Sequence, residues 1–367
     1  MNPYEPDQLP LTDLDYRRLL PLVGQANAAL ARYDGLLQGI PNPSVMLSPL
    51  TTREAVLSSK IEGTQATVDE VLEHEAGLLK EGEKFKDIQE ISNYRKALLS
   101  AREYLKDYPI RLSFLRELHR ILLDSVRGKD KTPGEFRMEQ NWIGKYGCTL
   151  EQASFVPPNP MQLQDFLQDW ERYLDSDDMD FLLQTAVVHA QFEILHPFKD
   201  GNGRIGRILI PLFLYQKKVL SQPMFYLSEY LESHRDEYYA RLKAVSANHD
   251  WNGWIAFFLQ AVITQAIQNS QRVGAILKLY ESMKDQIHKT THSQYTIHLL
   301  DALFARPIFD SSHLVRHTPI PAASVKSFIP KLKKEKILIE IRPASGRQPA
   351  ILAFAQLLNI AEGKNVF

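Results

Sequence analysis

Residues 196–207 read His-Pro-Phe-Lys-Asp-Gly-Asn-Gly-Arg-Ile-Gly-Arg, and they follow a stretch with apolar residues at 182, 183, 186, 187, 190 and 194. That spacing is helical, and a run rich in apolar and helix-forming residues follows, so the dozen reads as a short loop between two helices. Glycines let backbone N–H groups approach an anion closely, and a helix N-terminus adds unpaired donors and partial positive charge. Arg204 and Arg207 add forked donors that match phosphate geometry. With His196 as a base at its edge and Asp200 as a hard-metal carboxylate, the segment reads as a polyphosphate cradle.

Other readings of the same residues are available. Gly201, Gly203 and Gly206 formally match G-x-G-x-x-G, but that fingerprint requires a preceding strand inside a βαβ unit, and Phe181 to Leu195 is helical in its spacing. A plain loop would use the glycines for turns and leave the arginines in solvent; His-Pro before them and two arginines after argue against it. His189, Glu193 and His196 lie at i, i+4 and i+7 on one helical face and could hold zinc. No H-E-x-x-H accompanies them, and His189 and Glu193 read more simply as polar groups of the core.

The chain of 367 residues has room for two or three domains. Its 43 lysines and arginines balance 44 acids, so no global field points to nucleic acid or membrane. The apolar runs fall far short of a bilayer span, and the start, Met-Asn-Pro-Tyr-Glu-Pro-Asp, lacks the basic and apolar regions of a signal peptide. A single cysteine, Cys148, fits a reducing compartment. The expectation is a soluble cytoplasmic protein without a membrane partner.

Helical periodicity dominates. Helices are expected over 12–37 with Gly35 as a stop, from a capping box at Thr51 to about Glu62 with Gly63 as a stop, and near 67–80, 86–106, 111–126, 161–175 and 179–195. Further helices are expected over 205–218, 229–247 and 251–285, with Pro211 marking a kink or local break. Residues 141–158 mix aromatics, β-branched residues and glycines in two short runs, which suits a β-hairpin or an irregular connecting loop. Beyond 285, helices over 295–305, 311–317 and 322–336 precede two strands, 337–341 and 350–354. That is the order of a winged helix, with a helix-turn-helix as its middle pair. Lys326, Lys331, Lys333, Lys334 and Lys336 make the third helix basic, which suits DNA binding, a protein docking or dimer surface, or simply a solvated face.

The 196–207 segment resembles the signature of the Fic-domain family: His-Pro-Phe, any residue, an acid, Gly-Asn-Gly-Arg, two free positions, Arg. Every fixed position is matched. Pro133-Gly134-Glu135-Phe136-Arg137 with the 141–158 island is similar to the family's flap, and Val188-His189-Ala190-Gln191-Phe192 to its central helix. The resemblance implies a mainly α fold in three parts: an N-terminal helical region (1–100) with an inhibitory helix at about 51–63, a Fic core (101–265) with a small β-hairpin flap, and, after a connecting helix (266–285), a winged-helix-like domain (286–367). It also implies transfer of AMP from ATP to a serine, threonine or tyrosine hydroxyl of target proteins and of the chain itself.

In that reaction His196 would take the hydroxyl proton, and Asp200 would hold Mg²⁺, which bridges phosphates through one or two carboxylates. Backbone amides of Gly201, Asn202, Gly203, Arg204, Ile205 and Gly206, with the Asn202 side chain, would form the anion hole. Arg207 would hold the inner phosphates and Arg204 the outermost, with Phe198 in the core. Of Tyr238 and Tyr239, Tyr239 is the candidate for the adenine pocket.

Ser58-Ser59-Lys60-Ile61-Glu62-Gly63 also matches the family's inhibitory pattern: Ser or Thr, three residues, Glu, then Gly or Asn. Glu62, at the border of the nucleotide site, is expected to pair with Arg204, with Ser58 one turn earlier bonding the cradle; the plainer reading is a surface carboxylate before a helix-ending glycine. Two rival functions remain: a de-adenylylating enzyme of the same fold, in which Glu62 would position water, and a DNA-binding regulator whose nucleotide site only senses. The helical surfaces and the winged tail are compatible with a homodimer.

Overall fold

The computed structural model describes residues 2–77, 84–124, 129–144, 147–178, 180–346 and 349–366. The chain is mainly helical. In order it forms α1 (Tyr16–Gln38), α2 (Pro43–Met46), α3 (Ser48–Ile61), α4 (Val68–Glu75), α5 (Phe85–Tyr104), α6 (Leu112–Leu122), α7 (Pro160–Asp175) and α8 (Phe181–Leu195). There follow α9 (Asn202–Gln216), α10 (Ser228–Ser233), α11 (Arg235–Asn248), α12 (Trp251–Thr291), α13 (Thr296–Ala305), β1 (Ile308–Asp310), α14 (Ser311–His317), α15 (Ala322–Lys334), β2 (Ile339–Arg342), β3 (Ile351–Ala353) and α16 (Ala355–Glu362). Among the described residues no helix is long and apolar enough to cross a membrane.

Two compact units result, and they cut across the 1–100 stretch. One gathers 1–34, 57–63 and 93–267; the other gathers 35–56, 64–92 and 268–367. In the first unit the axis is α8, whose sequence is apolar on every side, as a helix enclosed by others must be. Asp180 starts it by accepting from the N–H groups of Leu182 and Leu183 at 2.7 and 3.2 Å, the usual task of an N-capping carboxylate. Helices α7, α9 and α11 pack around it. Two buried tryptophans anchor to its backbone: Trp170 donates to the Val188 carbonyl at 3.0 Å and Trp254 to that of Ala186 at 2.8 Å.

Several boundaries differ from the sequence expectation. Helix α1 runs through Gly35 to Gln38, and α3 begins at Ser48 rather than at Thr51. The capping box in this region is Thr67 with Glu70, at the start of α4. Helix α9 passes Pro211 without a break. The single helix expected over 229–247 is two, divided at His234, whose ψ of 35° leaves the helical range. The expected 141–158 hairpin reduces, among the described residues, to one antiparallel pair, Ile143 with Phe155, around a 3₁₀ turn at Leu150–Gln152. At that turn the Thr149 N–H donates to Gln152 Oε1 at 3.3 Å.

In the second unit the sheet has three strands rather than two, in the order β1-β3-β2. The extra strand, Ile308–Asp310, pairs antiparallel with β3 and supplies Asp310, whose side chain caps α14 through the His313 N–H. The β2–β3 ladder carries an irregularity between Glu340 and Arg342. Helix α2 packs against α13, and α4 against β1.

Candidate active site

The first unit brings His196, Asp200, Gly201–Arg207, Ser58, Glu62 and Tyr239 into one region. His196 ends α8 in the left-handed conformation, φ 46° and ψ 58°. A non-glycine residue held there needs support from its surroundings, and Arg137 provides it. This arginine is buried; its Nε donates to the His196 carbonyl at 3.0 Å and its Nη2 to the Pro158 carbonyl, while its backbone N–H donates to Pro197 O at 2.8 Å. Nδ1 of His196 faces the Glu193 carbonyl at 3.2 Å. A carbonyl can only accept, so Nδ1 carries the proton and Nε2 keeps its lone pair. Burial depresses the ring's pKa to about 4 against the opposing Glu193 carbonyl and Glu62 carboxylate, with Arg137 adding a smaller lowering, so the imidazole is neutral and basic at Nε2.

The loop between α8 and α9 is held by interactions the sequence did not announce. His119 of α6 is fully buried and stacks on Phe198 with ring centroids 3.8 Å apart. Its Nε2 donates to the Asp200 carbonyl at 3.0 Å and its Nδ1 accepts from the Gly134 N–H at 2.8 Å. Those two partners fix one neutral tautomer, and burial lowers its pKa to about 4. Phe198 lies in the core, fully buried. The one available signal for His119 was a histidine on the apolar face of α6, among Phe114, Leu115, Leu118 and Leu122. Arg137 carried none beyond its place in the Pro-Gly-Glu-Phe-Arg string.

Asn202 departs from its expected role. Its Oδ1 accepts from the Phe198 N–H and its Nδ2 donates to the Phe198 carbonyl, both at 2.8 Å, so the amide closes the loop instead of facing an anion. The amides at the open end of α9 are also fewer than the set expected from the sequence. Gly201 is the N-cap of α9 at φ 78°, and the Ile205 N–H already bonds the Gly201 carbonyl at 3.0 Å. From Ile205 onward, Gly206 included, the amides belong to the helix, which leaves those of Asn202, Gly203 and Arg204 at its open end.

Gly206 serves packing instead. A β-carbon there would stand 2.2 Å from Glu193 Oε1 and 3.3 Å from His189 Cε1. Its carbonyl accepts from His189 Nδ1 at 2.9 Å, and Nε2 of the same ring accepts from the Tyr238 hydroxyl at 3.0 Å. Both nitrogens of His189 are therefore engaged, which removes it as a zinc ligand. Among the described residues no group of three or more histidine, cysteine or acidic side chains is placed to hold a metal. Burial lowers the His189 pKa to about 3 and raises that of Glu193 to about 8. Glu193 Oε1 has no hydrogen-bond partner and no contact with solvent.

The expected Glu62–Arg204 pair is replaced by a Glu62–Arg207 pair. Arg207 Nη2 donates to Glu62 Oε1 at 2.7 Å and to the Ser58 carbonyl at 2.9 Å, and its Nε donates to Ser58 Oγ at 2.8 Å. The reason is geometric. Gly203, one turn before Arg207 on α9, leaves a gap that the Glu62 carboxylate fills: a β-carbon there would lie 2.2 Å from Oε1. Arg204 Nη2 donates to Asp200 Oδ1 at 3.2 Å. Burial pushes the Glu62 pKa up, but Arg207, then Arg204 and His196, outweigh it and hold the carboxyl below its ordinary value. Gly63 follows at φ 102°, a conformation that ends α3 and favours glycine.

The two tyrosines of α11 divide their tasks. Tyr238 is buried against His189; Tyr239 is 42 % exposed, with the Arg235 guanidinium 5.8 Å from its ring centre. Burial and the neighbouring Glu62 raise the Tyr239 phenol to about 12. Asp200 has a half-exposed carboxylate. A single carboxylate is the protein ligand Mg²⁺ takes when phosphates supply its other ligands, so Asp200 fits that ion if a nucleotide binds beside it.

A helical core wrapped around a glycine-rich loop, with a neutral histidine at its edge, defines a fold of the Fic type. The family model described as "Fic/DOC family N-terminal" matches residues 20–103, and that described as "Fic/DOC family" matches 109–214, together more than half of the chain. The chain belongs to the Fic/DOC family. A probable protein adenylyltransferase from Aquifex aeolicus is 26 % identical over 203 residues, covering 52 % of this chain and 56 % of that protein. The protein adenylyltransferase Fic of Drosophila ananassae is 34 % identical over 111 residues, covering 29 % and 20 %. The matched regions thus span about half of the first relative and a fifth of the second. Among solved structures, a Fic family protein from Desulfovibrio desulfuricans has the same fold over 96 % of this chain and 98 % of its own, with a TM-score of 0.61 at 18 % identity. A Fic domain containing signaling protein from Bacteroides thetaiotaomicron covers 69 % and 97 %, with a TM-score of 0.55 at 21 % identity.

Proposed function

We propose that this protein is an adenylyltransferase that moves AMP from ATP to a hydroxyl side chain of target proteins, and of itself, and that Glu62 restrains it. The observation that carries the reading is the neutral His196, with Nε2 unprotonated, at the mouth of a loop whose next helix begins at Asn202 and carries two arginines.

The target hydroxyl gives its proton to His196 Nε2 as its oxygen attacks the α-phosphorus. The bond from that phosphorus to the β-phosphate bridge breaks, and pyrophosphate leaves. The amides of Asn202, Gly203 and Arg204 face the phosphates, and Arg207 and Arg204 hold them. Mg²⁺ held by Asp200 supplies neutralisation of phosphate charge when bound. Tyr239 lines the adenine side. The nucleotide's polyphosphate and Glu62 compete for Arg207, so the restraint falls on that arginine. Ser58 reinforces it by holding the same guanidinium from two sides.

Incubation with α-labelled ATP tests the reading. Glu62→Gly should raise self-labelling and target labelling by about ten- to a hundredfold, the factor implied by losing a charge-assisted hydrogen bond of roughly 1.5–3 kcal/mol. Equal labelling by both proteins would refute the restraint; no protein-bound label from either would refute the transfer. Release of AMP from pre-labelled target would point instead to removal chemistry.

A further inference from the structure

We propose that residues 296–354 form a winged helix that binds double-stranded DNA, with α15 entering the major groove and the β2–β3 turn against the backbone. The charge of the chain is divided unequally. Residues 286–367 hold eleven lysines and arginines against five acids, while the preceding 285 hold 32 against 39. Within 311–347 the count is eight against two. A near-neutral whole therefore conceals a basic tail, and local excess of this sign is what recruits a polyanion.

The placement of the charge fits a groove. Val325, Phe328 and Leu332 face the core of the unit. On the opposite side of α15, Ala323, Lys326, Ser327, Lys331 and Lys334 are exposed. They recur at three- to four-residue intervals and so share one stripe. Small residues lead the helix and permit close approach to base edges; the lysines lie further along, where phosphates would run. Lys333 is already paired with Glu340 at 2.5 Å and contributes little to this face. Arg316 and His317 on α14, and the turn at 343–346, are exposed as well. The order helix, strand, helix, helix, strand, turn, strand, with β3 between β1 and β2, presents α15 as the second helix of a helix-turn-helix and the exposed 343–346 as part of the wing.

The test uses the full chain and a short fluorescein-labelled duplex, read by anisotropy through a salt titration. The protein should bind at low salt. Combining Lys326→Glu, Lys331→Glu and Lys334→Glu should weaken binding more than about tenfold and flatten the salt dependence by about one unit of slope per lysine. The same charge change at exposed lysines of the first unit, Lys96→Glu with Lys106→Glu and Lys243→Glu, should leave the affinity nearly unchanged. A duplex RNA of equal length should bind at least about tenfold more weakly, because its major groove is too narrow for a helix. No binding by the native chain, equal losses in both triple variants, or equal affinity for duplex RNA would overturn the proposal. Labelling from ATP is a separate readout, so failure here leaves the adenylyl-transfer reading untouched.

Discussion

The carboxylate of Glu62 occupies the space in which a side chain on residue 203 would begin, 2.2 Å from where its β-carbon would stand. The glycine admits the acid to the opening turn of α9, and Arg207, one turn on, holds it there at 2.7 Å. Ser58 completes the enclosure. Ser58→Ala should therefore loosen the restraint by removing the acceptor of Arg207 Nε. Labelling from ATP should rise by up to about tenfold, less than for Glu62→Gly, and the double variant should label no faster than Glu62→Gly alone. A double variant faster than either would show that Ser58 acts elsewhere.

His196→Ala, made with Glu62→Gly so that the site is unrestrained, should lower labelling by about a hundredfold or more. Nucleotide affinity measured by calorimetry should stay close to that of the unrestrained protein, because the imidazole serves the proton transfer. Undiminished labelling would remove His196 from the reaction.

Gly206→Ala should destabilise the protein by about 1–3 kcal/mol through overpacking against Glu193 and His189. Thermal unfolding would read this as a lowered Tm. Combining it with Glu193→Ala, which vacates the contact, should restore part of the loss.

Stability should respond to pH through two opposed and partly overlapping effects. His119, His189 and His196 sit at about 4, 3 and 4, below the ordinary 6.5. Each favours the fold fully above 6.5, and that contribution is lost as pH falls from 6.5 through the depressed value. For His119 the loss is on the order of 3 kcal/mol. Glu193 works in the other direction: with its pKa raised to about 8, its contribution is present below 4.5 and is lost as pH rises through 8. Urea unfolding across pH should show His119→Asn flattening the rise in stability between about pH 4 and 6.5, and Glu193→Gln removing a fall spread between about pH 4.5 and 8. Unchanged slopes would contradict these assignments.

The helix–loop–helix around 196–207 was legible because period 3.6 stops at His-Pro and resumes after the glycines. The central helix α8 was legible for the same reason, and the 141–158 island stood out by its aromatics and glycines. The limits of legibility follow from range. Propensity marks helices but places their ends poorly, so α3 begins three residues early and His234 divides α10 from α11 where the pattern runs on. The hairpin signal in 141–158 depended on ladder pairing across the segment, and among the described residues only Ile143 and Phe155 pair there. Strand β1 is three residues long and acquires its identity only from β3, more than forty residues away. His119 and Arg137 act through backbone carbonyls of distant residues, a use of a side chain that no spacing rule records.

The sequence by itself determined the chemistry available: one loop with a base, a carboxylate, three glycines and two arginines, and one acid before a helix-ending glycine. Local periodicity and residue type carry that information, because each can be read within a turn or two of helix. Only the tertiary structure decided which arginine the acid would hold, which tyrosine would reach the surface, and that Asn202 would close the loop rather than face an anion. Those outcomes depend on which side chains meet across packed helices, where a missing β-carbon on Gly203 or Gly206 sets the distance of approach, and that distance is a property of the assembled core.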